Sequence, residues 1–172
     1  MIIAAVGLLI LGAVFSAEAQ TPQQAFLTQR NQLQKQARTA FDGEMVREKA
    51  GDCPKADNTR DIVDCLGKEI DTSTANYKTY AGALRSMLSS LGDPSDDFIG
   101  PTGKPLTAQE QVKSFDQVEA TWTRYREAMC AGAYGLYKGG TVVNIMSGSC
   151  ELMMLRSHMR ELNRVYGKYL SH

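Results

Sequence analysis

The chain has 172 residues, with 19 Lys and Arg against 19 Asp and Glu, 43% hydrophobic residues and four cysteines. A chain of this length builds one compact core and is short for two. A charge balance this close to neutral argues against nucleic acid as a partner and gives little long-range steering toward any charged target.

The first residues, MIIAAVGLLILGAVFSAEAQ, run apolar from Ile2 to Phe15 and then place Ala17 and Ala19 in an A-x-A arrangement. That pattern predicts a secretory signal peptide over 1–19. The run is short for a membrane-spanning helix, so an uncleaved anchor is the less favoured reading. The expected mature chain, 20–172, is a single helical domain in the periplasm or secreted, without a stable membrane anchor. Its net charge is +1, because Glu18 is the only charged side chain removed.

From Thr21 to about Lys49, Phe26, Leu33, Ala37, Phe41 and Met45 recur at helical spacing, Pro22 suits a first turn, and Gly51 with Pro54 ends the pattern. Asn58 or Thr59 can cap a second helix of about thirty residues, whose stripe runs through Leu66, Ile70, Tyr77, Tyr80, Leu84, Leu88 and Leu91 with one double step across Ser73. The segment LGDPSDDFIGPTGKP cannot continue a helix and reads as a crossover linker, with Phe98 and Ile99 as its anchor. Thr107 and Glu110 match a capping box. The helix they start carries Val112, Phe115, Val118, Trp122, Tyr125 and Met129 and is expected to end near Ala131 and Gly132. A fourth helix, started by Ser147 or Ser149, has the stripe Leu152, Leu155, Met159, Leu162, Tyr166 and Tyr169. The fold class expected is all-α, a disulfide-stapled bundle of about four helices with a glycine-rich loop between the last two.

An even cysteine count in an exported chain is usually a disulfide framework. Of three possible pairings, Cys53 with Cys65 and Cys130 with Cys150 is favoured, since each pair brackets a turn or loop between helical patterns. Zinc is disfavoured because no pair has the close C-x₂₋₄-C spacing of a structural site. No metal or cofactor is expected.

Several segments, taken in order, resemble one family. Cys53 and Cys65 bracket a T-x₅-C segment beginning at Thr59. Trp122, Tyr125, Arg126 and Cys130 form W-x₂-Y-R-x₃-C, and Tyr137, Lys138, Gly139 and Gly140 give an aromatic followed by K-G-G. Cys150, Arg156 and Leu162 complete the series. Over residues 53 to about 162 the chain resembles the LprI-like family, small exported helical proteins named for a lysozyme inhibitor. The resemblance implies an α-helical, disulfide-stapled periplasmic or secreted protein, with lysozyme inhibition attached to the family name.

An enzyme is the least favoured class. His172 is terminal, His158 reads as a surface or satisfied histidine, and G-x-S-x-G and phosphate-binding glycine motifs are absent from the sequence. The favoured class is a protein-binding module, with a lysozyme-type hydrolase as the partner that the resemblance suggests. The alternative is an envelope structural or stress-related protein with no hydrolase target. Tyr134, Tyr137, Lys138, Gly139 and Gly140 form the candidate partner-binding loop, because an aromatic and a cation beside flexible backbone can enter a carboxylate-lined cleft. A packed structural loop is the competing reading. Trp122, Arg126 and Arg156 are expected to support the loop, Trp122 as a core plug and the arginines by tying loop carbonyls, Glu119 or Glu151 to the frame.

Overall fold

The computed structural model describes residues 21–90, 103–104 and 106–170, with the side chain of Tyr169 outside that set. The signal peptide expected at 1–19 and most of the linker, including Phe98 and Ile99, lie outside the described residues, as does Leu91. Four helices follow in order: α1 (Pro22–Ala50), α2 (Thr59–Ser90), α3 (Ala108–Leu136) and α4 (Val143–Tyr166), closed by a short 3-10 turn (Gly167–Leu170). No helix among the described residues is long and apolar enough to cross a membrane.

The helix starts follow from local chemistry. Pro22 opens α1, and Thr21 and Gln24 cap it reciprocally. Asn58 caps α2 by accepting the Asp61 N–H at 3.0 Å. Thr107 and Glu110 form the expected box at α3, with Thr107 N–H donating to Glu110 at 2.9 Å. Gly51 ends α1 with φ +84°, a conformation that disfavours a side chain.

The long helix α2 packs against all three others, and most extensively against α1 and α4. Its Tyr80, Leu84, Met87 and Leu88 meet Ala37 and Ala40 of α1, Phe115 of α3, and Met159 and Leu162 of α4 in one buried cluster. The alanines let the α1 backbone come close, so Phe41 packs its ring 5.5 Å from that of Tyr80. Burying each large apolar side chain of this kind contributes about 1.5–3 kcal/mol.

Three sequence expectations change. The buried face of α1 is turned from the anticipated stripe: Gln34, Ala37, Ala40 and Glu44 are buried, while Phe26 is exposed. On α3, Val118, Tyr125 and Met129 are exposed, and the core side is held by Gln111, Phe115, Trp122 and Cys130. The third change concerns the glycine-rich region. Helix α3 continues through Gly132 and Gly135 to Leu136, and α4 begins at Val143, ahead of both serines proposed to start it. Each glycine in a helix interior costs only about 1 kcal/mol relative to alanine, and the Cys130–Cys150 disulfide holds this end of α3 against α4. The expected long loop is therefore a short connection over 137–142.

Candidate functional site

The connection is a tight turn. Gly140 N–H donates to Tyr137 carbonyl at 3.0 Å, and Gly139 has φ +89°. This is the positive φ that a type II β-turn demands at its third position, which places Lys138 at the outer corner. A Cβ at Gly140 would lie 3.3 Å from the Tyr137 carbonyl oxygen, a tight approach. Tyr137, Lys138, Gly139 and Gly140 are exposed, and Tyr134 stands exposed one helical turn earlier on α3. The five candidate residues therefore gather at the tip of the α3–α4 hairpin, four of them in the turn and Tyr134 in the helix.

Behind the tip, Cys130 and Cys150 form a disulfide with Cα atoms 5.6 Å apart, joining α3 to α4 and bracketing the turn between them. Cys53 and Cys65 form the other, with Cα atoms 5.9 Å apart, between the α1–α2 connection and α2. Both pairings match the expectation. Arg126 forms an ion pair with Glu151 at 3.4 Å across the same hairpin and lies 5.0 Å over the Trp122 ring.

Trp122 is buried, as a core plug would be, but it lies well below the turn. Its ring stacks on His158 of α4 at 4.1 Å and 6°, and Tyr77 of α2 packs at 4.9 Å. The Tyr77 hydroxyl donates to Glu119, and the His158 Nε2–H donates to the same carboxylate at 2.7 Å. Burial, then the bond to Glu119 and its charge, push the Tyr77 hydroxyl far above its ordinary pKa, so it stays a donor. His158 is thus a buried, satisfied residue. Glu119 engages these two side chains and not either of the supporting arginines.

Arg156 also departs from its expected partners. It is buried at 3% exposure and reaches α1, where its Nε–H donates to Glu44 at 2.8 Å while both Nη groups grip Asp52 at 2.8 Å. Glu44, fully enclosed, also accepts the Ser73 hydroxyl at 2.6 Å and the Asn76 amide at 2.8 Å. Burial would raise the Glu44 pKa, but the bonds from Ser73, Arg156 and Asn76 outweigh it and hold the carboxyl below its ordinary value. Sequence reasoning missed Glu44, Asp52 and Asn76 here. Its one signal was the double step across Ser73, where the apolar stripe of α2 gives way to a hydroxyl on the buried face.

Alongside the tip runs an apolar groove of about 690 Å³ between α3 and α4, walled by Met129, Gly132, Ala133, Leu136, Met146 and Met153 among others. None of its lining residues is ionisable, its one cysteine, Cys150, being held in the disulfide. A second groove, lined by Val118, Trp122, Tyr125, His158 and Glu161, continues along the same pair of helices. Among the described residues no cluster of His, Cys, Asp or Glu could hold a metal ion.

No curated protein and no solved structure matches the chain. The family model described as Lysozyme inhibitor LprI matches residues 50–170, most of the chain and all of α2, α3 and α4, both disulfides and the hairpin turn. The chain belongs to the LprI lysozyme inhibitor family.

Proposed function

We propose that this chain is an exported protein-binding module that inhibits a lysozyme-type hydrolase by steric occlusion, placing the 137–140 turn in the active-site cleft. The observation that carries the reading is an exposed Tyr137–Lys138 pair on a glycine-set turn whose two helices are tied by a disulfide and an ion pair. A lysozyme-type cleft carries two carboxyl groups, to which a lysine ammonium offers charge and a tyrosine hydroxyl offers a hydrogen bond. A turn held in one shape before binding loses less entropy on docking than a mobile loop. Near-neutral net charge gives weak steering, so affinity on this reading rests on contact at the tip. The paired disulfides suit an oxidising compartment, in line with removal of 1–19 during export as a single domain.

The test is inhibition of purified lysozymes of several classes. Wild-type protein is expected to inhibit at least one. The pair Tyr137→Ala with Lys138→Ala is expected to lower that inhibition at least about tenfold, the loss of roughly 1.4 kcal/mol of contact, with unchanged thermal unfolding. Absence of inhibition against every class favours the alternative of an envelope structural protein.

A further inference from the structure

We propose that the Cys53–Cys65 disulfide is a thiol-exchange site, opened and re-formed by a dithiol, whereas Cys130–Cys150 is a permanent clasp. The proposal stands apart from the hydrolase reading, since it concerns the connection between α1 and α2 and not the hairpin tip.

Backbone, access and surroundings separate the two bonds. Cys53 has φ +53° and is the one non-glycine residue with positive φ among the described residues. A side chain in that left-handed region crowds its own backbone, a strain that the bond to Cys65 helps to hold in place. Opening the bond lets Cys53 relax, so the strain favours the reduced pair. Cys53 and Cys65 are both half-buried, and Cys53 lies in a connection outside any helix, so a thiolate can reach the bond. Cys130, by contrast, is 3% exposed, and both it and Cys150 sit inside helices that Arg126 and Glu151 also tie together. Its partner Cys150 borders the groove without ionisable lining, where an attacking thiolate loses its water, and a thiolate displaced from Cys130 would be enclosed. The shorter span adds to the contrast: 12 positions separate the first pair and 20 the second, and a smaller closed loop restrains the unfolded chain less.

In the exchange, one thiolate of the dithiol bonds to one sulfur of the pair and displaces the other. Its second thiol then closes the dithiol's own disulfide and releases the first sulfur. Two electrons pass to the protein, the dithiol is oxidised, and its two thiol protons end on Cys53 and Cys65. The bundle does not depend on this bond alone, because Arg156 still grips Glu44 and Asp52 and ties the end of α1 to α4. Reduction therefore frees the connection while the tip, behind its own disulfide, keeps its shape.

The test equilibrates the purified full chain with dithiothreitol at a series of reduced-to-oxidised ratios, traps thiols by alkylation and reads each cysteine by peptide mass spectrometry. Cys53 and Cys65 are expected to become alkylated together at a ratio at least about tenfold lower than Cys130 and Cys150, or about 30 mV. The helical circular dichroism spectrum should stay unchanged while only the first pair is open. In the double variant Cys53→Ser with Cys65→Ser, the second pair should open at the same ratio as in the wild type. Opening of both pairs at one ratio, or of Cys130–Cys150 first, overturns the proposal. Loss of helix in step with the first pair also overturns it, making Cys53–Cys65 a structural clasp.

Discussion

Arg156 shows how one side chain ties distant parts of the chain together. Its guanidinium links α4 to Glu44 of α1 and to Asp52 beside the first disulfide, more than a hundred residues away in sequence. Removing one member of such a buried pair leaves the other charge enclosed without its main partner. Arg156→Met is expected to lower the unfolding free energy by about 3–5 kcal/mol, measured by urea denaturation. Arg85 and Asp116 make a two-bond pair of similar length, at 2.7 and 2.8 Å, but on the surface. Arg85→Gln should leave the urea midpoint nearly unchanged, because water already screens that pair. Equal effects of the two substitutions would show that burial is not what gives the Arg156 cluster its weight.

At the scale of elements, the α3–α4 hairpin is the unit on which the proposed function depends. The capping box at Thr107 was readable because it involves residues three apart and needs no tertiary partner. The end of α3 was not, since Gly132 and Gly135 are poor helix formers in isolation, yet the helix runs on through both to Leu136, past the disulfide that ties it to α4. The disulfide behind the turn bridges positions 20 apart in sequence. Replacing both Cys130 and Cys150 by serine is expected to cost about 3 kcal/mol. Amide exchange should accelerate within 131–149 while α1 and α2 keep their protection, as hydrogen exchange with mass detection would show. Uniform acceleration across all four helices would mean that the hairpin does not open as a separate unit.

For the molecule as a whole, the bundle combines an apolar core with the polar cluster of Glu44, Arg156, Ser73 and Asn76, which joins α1, α2 and α4. That cluster makes stability depend on acid. A carboxyl held below its ordinary pKa in the folded state contributes fully above the unfolded value, about 4.3 for glutamate. The contribution is lost as pH falls through the lower folded value. Thermal unfolding should therefore be nearly level from about pH 8 to about pH 5.5 and decline below about pH 4.5. Glu44→Gln should lower the midpoint near neutrality and flatten this acid decline. Some decline should remain, because Glu110, bonded to Thr107 at the start of α3, is also held low. An unchanged acid limb in Glu44→Gln would remove Glu44 as a source of the pH dependence.

The sequence by itself determined the four helices, the capped starts of α2 and α3 and the K-G-G segment between the last two helices, and it favoured the cysteine pairing that the structure shows. Each of these rests on residues close together in the chain: helical periodicity, side-chain caps, or cysteines bracketing a connection. The expected stripes of α2 and α4 are buried, whereas the tertiary structure alone decided which face of α1 and of α3 is buried. Glu44 lies on the polar side of a local pattern, yet it is enclosed because Arg156, Ser73 and Asn76 arrive from other helices to satisfy it. Val118, Tyr125 and Met129 belong to an apolar stripe, yet they remain exposed because α3 turns Phe115, Trp122 and Cys130 toward its neighbours. Where apolar and polar residues are as mixed as on α1 and α3, periodicity establishes a helix, but the packing of the other helices selects the face that loses its water.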